Sequence, residues 1–156
     1  MAVLTANRPF PNQLQIHPAG GWIVDMVMTV SLQIYEGSFV GMTAGTGTVR
    51  AIAASDSSVW CGIALKKVLS DATAGSTKVP VWVCGVFSHA LASVAFADIG
   101  KVAFASDDNT LTLTSTNNSA VGRIIAVPAT GTAVIQMKDI GAVAGAVGTT
   151  YTAGAL

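Results

Sequence analysis

Apolar residues recur at a spacing of two through the middle of the chain, which predicts strands and not helices. In GWIVDMVMTVSLQIYEG the residues Trp22, Val24, Met26, Met28, Val30, Leu32 and Ile34 fall on one face, and this is the longest strand the pattern predicts. Residues 37–47 are turn-rich and residues 49–54 read as a weak strand. VWCGIAL and VPVWVCGVF, starting at Val59 and Val79, are apolar at every position and rich in β-branched residues, so they predict strands covered on both faces. KKVLSDATAGSTK between them is a polar loop, and SHALASVAFADIG has room for one or two helical turns.

The segment FASDDNTLTLTSTNN predicts a hairpin. Val102 and Phe104 share one side of a short strand, Asp107, Asp108 and Asn109 supply turn-forming side chains, and Leu111 and Leu113 point inward while Thr110, Thr112 and Thr114 face out. Two more strands follow, AVGRIIAV and TAVIQMKDI, and the short connections predict a meander. The class is therefore all-β.

The pattern divides the chain into an N-terminal arm (1–21), a β domain (22–139) and a C-terminal tail (140–156). Pro9, Pro11 and Pro18 keep the arm out of helices and interior strands, and its Phe10, Leu14 and Ile16 are costly to leave in water. The tail is small, uncharged and glycine-spaced, with Tyr151 and Leu156 as its anchors. SDSSVWCGIAL and STNNSAVGRII align without gaps at an offset of 60 residues, which places Gly62 and Gly122 in register. A strand glycine marks a bulge or the close approach of another backbone.

Composition adds a constraint on the exterior. Eight basic and eight acidic residues balance, so no field gathers phosphates or anionic lipid, and neither nucleic acid nor a membrane is an expected partner. Only 10% of residues are charged against an average of about 25%, while a chain of this size exposes roughly 7,300 Å². Sixteen charges cover that area thinly, so part of the surface is expected to meet other protein. The first twenty residues lack the basic start and apolar core of a secretory signal, which places the expected site of assembly in the cytoplasm.

Candidate chemistry is sparse. Two cysteines, Cys61 and Cys84, make no disulfide framework and read as buried small hydrophobes. Asp107, Asp108 and Asn109 lack the spaced oxygens that calcium requires. Cys84, His89 and Asp98 are the nearest thing to a hydrolase set, without a nucleophile elbow. Trp22, Trp60 and Trp82 sit at strand spacings among valines, where they anchor cores or interfaces more often than they cage ligands. No catalytic residue, cofactor site or metal site is expected.

VWCGIAL, VPVWVCGVF, ADIGKVAFASDDNTLTLTS and NNSAVGRIIAV, in this order, resemble the small capsid cement or decoration proteins of tailed bacteriophages. The likeness covers residues 37–138 and is densest from Ala97 to Val127, at Gly100, Asp107, Asp108, Thr112, Asn118, Gly122 and Arg123. The resemblance implies a single β-barrel or β-sandwich domain, commonly a homotrimer; the extended N-terminal arm and the flexible or extended C-terminal tail read from the residues lie outside it. It implies a non-enzymatic virion protein on the capsid exterior, bound to the major capsid protein and assembled in the host cytoplasm. Some relatives instead form the base of fibres, and a fibre-base module that binds a glycan or receptor is the alternative. Phe10, Leu14, Ile16, Trp22, Tyr151 and Leu156 are the candidate capsid or protomer contacts.

Overall fold

The structure, a computed structural model, describes residues 22–54 and 58–137. Among these the only helical element is one 3-10 turn, Phe96–Asp98, and the rest of the regular structure is strand. One five-stranded sheet contains β1 (Ile23–Val27), β3 (Phe39–Met42), β4 (Val49–Ala51), β5 (Val59–Ala64) and β7 (Lys78–Trp82), in the order β1-β7-β5-β3-β4. A second contains β8 (Val86–Ala90), β9 (Val102–Ala105), β10 (Leu111–Thr112), β11 (Ser119–Ala129) and β12 (Thr132–Met137), in the order β10-β9-β11-β12-β8. β2 (Gln33–Ile34) and β6 (Val68–Leu69) make a small third sheet. All strand pairs are antiparallel, no sheet closes into a barrel, and the arrangement is sandwich-like.

The two large sheets are one topology used twice. In each, the first strand along the chain pairs with the fifth, the fifth with the fourth, the fourth with the second and the second with the third. The registers agree as well. Val40 faces Gly62 and Gly41 faces Trp60 across a bulge; Ala103 faces Gly122 and Phe104 faces Ala120 across another. A lone parallel bridge joins the outer strands of each sheet, Met28 to Val49 in the first and Leu91 to Leu111 in the second. Gly37 N–H donates to the Ala64 carbonyl as Gly100 N–H does to that of Ile124. The short sequence match around Gly62 and Gly122 thus belongs to a repeated unit.

Bulge and glycine have a common cause. A Cβ on Gly62 would lie 2.1 Å from the Trp82 carbonyl oxygen, and one on Gly122 would lie 2.0 Å from that of Gln136. Each glycine lets the neighbouring backbone cross where any side chain would stand.

β5 and β7, inside the first sheet, are covered on both faces, as their uninterrupted apolar runs predict. Phe39, Trp60, Ile63 and Trp82 join the second sheet's Phe87, Ile124 and Ile135 in one cluster. Their neighbours Val40, Cys61, Ala64 and Val81 turn the other way, into a cluster with Met28 and Ile34. Phe39 ties the sheets together: its ring centroid lies 5.4 Å from that of Trp60, 6.3 Å from Phe87 and 5.1 Å from His89, and its N–H donates to the Asp108 carbonyl at 2.8 Å. Burying such rings contributes about 1.5–3 kcal/mol each.

Four expectations are corrected. The long strand from Trp22 breaks after Val27, because Ser31 adopts φ 55° and its N–H bonds to the Asp71 carbonyl. The Ser70 hydroxyl satisfies the break, 2.7 Å from the Thr29 carbonyl and 2.8 Å from the Leu32 N–H. The turn-rich stretch 37–47 contains the buried strand β3, which lies inside its sheet between β5 and β4; its glycines hide the alternation. The region 88–100 forms the end of β8 and the single 3-10 turn, not a helix. The last strands are not a simple meander: two-residue β10 stays at the edge, and β11 crosses it to pair with β9.

Replacing Gly62 or Gly122 with alanine is expected to destabilise the fold by more than about 2 kcal/mol, a backbone-collision cost, measured by urea denaturation; alanine at exposed Gly45, where nothing lies within 4 Å, serves to calibrate the effect of positive φ alone.

Candidate functional site

The described chain begins and ends at one place. Val83 N–H donates to the Trp22 carbonyl at 2.9 Å, and Met137 N–H donates to the Gly85 carbonyl at 2.8 Å. Residues 83–85 link the two sheets, so Trp22 and Met137, the outermost described residues, both lie at this junction. Gly85 lies flat on the Trp82 indole, where a Cβ would come within 2.4 Å of the ring. That contact fixes the linker against the core.

Beside the junction the surface is apolar. Trp22 is 74% exposed, Ile23 61% and Val24 41%, on a strand whose single charge is exposed Asp25. β1 is also an edge. The bonds of Trp22 to Val83 and of Met28 to Thr77 make the even-numbered residues of β1 the ones bonded to β7. By antiparallel alternation, Ile23 and Asp25 aim both their N–H and C=O groups away from the sheet. Farther along, Thr29 N–H on the same outward side is taken by the Val49 carbonyl at 2.9 Å, which closes the edge at that end. A second apolar patch lies on the other sheet, with Phe96 76% exposed beside Ile99 and Ile125. Arg123 borders it through a 2.8 Å bond from Nη1 to the Gly100 carbonyl.

Of the six candidate contacts, Trp22 is placed in the open beside the junction. Phe10, Leu14, Ile16, Tyr151 and Leu156 lie outside the described residues. Phe96 and Ile99 escaped sequence reading because they sit in a segment with no period; their only signal was two large apolar residues among Ala, Asp and Gly. Trp60 and Trp82 are core residues and share no cage with Trp22.

The remaining chemistry-bearing groups are used within the fold. Asp107 Oδ1 accepts the Asn109 N–H at 2.8 Å, which makes the predicted turn. The turn is buried, however, and packs against β3: the Ser38 hydroxyl lies 3.5 Å from Asp108 Oδ2. Asp107 Oδ2 is buried without a hydrogen-bond partner. His89 is buried between Phe39 and Phe87, with Nδ1 2.8 Å from the Ala90 carbonyl. Asp98 accepts from Lys101 Nζ at 2.7 Å and from the Ala95 N–H at 2.8 Å. No group of three His, Cys, Asp or Glu side chains that could hold a metal occurs among the described residues.

Three groups carry shifted ionisation. Burial pushes the Cys61 thiol up to about 11, against a smaller lowering by a backbone bond at Met42. The Lys101 hydrogen bond, followed by that from Ala95, lowers the Asp98 carboxyl. Ser76 and then Thr73 do the same for Asp71. Compared with family models, with curated proteins and with solved structures, the chain matches none.

At pH 8 a maleimide reagent is expected to modify at most one of the two thiols in the folded protein and both in denaturant, because a raised pKa leaves Cys61 without thiolate. Asp98 and Asp71 ionise below the unfolded carboxyl value of about 3.9, so their bonds stabilise the fold above pH ~4 and are lost as pH falls through the folded values. Asp98→Asn is therefore expected to narrow the stability difference between pH 7 and pH 3, read by urea denaturation at each pH.

Proposed function

We propose that this chain is a structural virion protein that binds the outside of a phage capsid and braces contacts between capsomers, acting as a homotrimer on the major capsid protein. The observation that carries the reading is the common root of the two arms at residues 83–85, beside exposed Trp22, Ile23 and Val24. A protein that clamps a surface needs its gripping segments on one side of a rigid body, and the meeting of Trp22 and Met137 at residues 83–85 supports this reading. The scarcity of charge supports the same reading, because an exterior with 10% charged residues is tolerable when other chains cover part of it. An interface of about 800 Å² per partner suffices for specificity, and repetition over a shell supplies avidity.

No reaction enters this reading: the protein works by binding energy, and the buried, internally bonded His89, Asp98 and Cys61 serve packing. The exposed indole of Trp22 favours one alternative, a fibre-base module that stacks a sugar or receptor on that ring. A glycan array blank at high protein concentration removes it.

Deleting residues 1–20 is expected to abolish co-sedimentation with phage heads while the circular dichroism and thermal unfolding of the β domain stay as in the full chain. Unchanged occupancy of heads by the deleted form takes the arm out of the proposal.

A further inference from the structure

The open edge of β1 calls for a particular occupant. Ile23 and Asp25 present unclaimed backbone groups among the described residues, next to half-buried Met26 and exposed Val24 on one face. Such an edge is a template for one more strand. The same edge of a second copy fits badly, because two-fold pairing centred on Asp25 sets that carboxylate opposite Asp25 of the second copy. The required strand is neutral at its centre, apolar on alternate positions and about as long as the five residues of β1.

One segment of the arm meets all three conditions. Residues 13–17 read Gln-Leu-Gln-Ile-His, alternating polar and apolar without a full charge, bounded by Pro11 and Pro18. Proline is excluded from central strands but tolerated at the limits of an edge strand. We propose that the edge of β1 is a strand-acceptor site filled by residues 13–17 of a second copy of this chain. Antiparallel alternation then sets Gln15 opposite Asp25, Ile16 opposite Val24 and Leu14 opposite Met26, so that apolar residues meet apolar residues on the inner face. Delivery by a second copy, in place of folding back within one chain, brings that copy's body against the exposed indole of Trp22. The inference rests on the proposal that copies associate and not on what shell they bind.

Two experiments on the full chain test it. Asp25→Pro removes an N–H that points away from β7 and leaves the β1–β7 bonds intact, so native mass spectrometry is expected to show loss of the oligomer with unchanged thermal unfolding. Ile16→Asp, which changes only the arm, is expected to do the same, and an oligomer that survives both changes overturns the proposal. Second, a chain carrying Ile16→Cys is mixed under oxidising conditions with one carrying Val24→Cys, both in a Cys84→Ser background. A covalent dimer joining the two variants is expected, whereas its absence, or a wild-type chain that is monomeric, overturns the exchange. Shell binding is scored separately by co-sedimentation, so failure of either idea leaves the other standing.

Discussion

Two carbonyl oxygens, those of Trp82 and Gln136, pass where residues 62 and 122 would otherwise carry a side chain. This backbone crossing puts a bulge into the middle of each sheet, and a bulged strand bends and twists more strongly than a regular one. With that curvature the outer strands of each sheet swing toward one another until they touch at one bridge, Met28 to Val49 and Leu91 to Leu111. The concave side of the first sheet can then hold its own core, and its convex side is left to pack on the second sheet through Phe39, Trp60 and Trp82.

The two units differ where function would act. Between β5 and β7 the first unit inserts a long polar loop carrying β6, which pairs with β2 and shields that flank. The second unit joins β11 to β12 by a tight turn at Thr130 and Gly131, and the corresponding flank carries the 3-10 turn with exposed Phe96. At the opposite flank, the first strand of the first unit, β1, is open and partly apolar, whereas its counterpart β8 buries Phe87 and His89 in the shared core. Repetition of one fold therefore yields two surfaces of different character.

Much of this was legible in the sequence, in proportion to how regular the local pattern was. The doubly apolar runs from Val59 and Val79 announced strands with both faces covered, and the Asp107 turn with Leu111 inward read correctly from turn chemistry and alternation. β3 was hidden by four glycines within eleven residues, because a strand with Gly41 at its centre leaves too few side chains to show a period. The break after Val27 was invisible because it depends on Ser70, some forty positions away, whose hydroxyl replaces ladder bonds. The candidate surface was half legible. Trp22 stood out as a large residue at the boundary between arm and domain, but its exposure follows from β1 lying at an edge, and strand order is not written in any local stretch.

The β11–β12 turn at Thr130 and Gly131 sits at the far end of β12 from Met137, where the tail departs. Thr130 is exposed, and the whole length of β8 and β12 separates this reversal from residues 83–85. Foreign peptides spliced there would extend from the tip of the β11–β12 hairpin, a strand's length away from exposed Trp22.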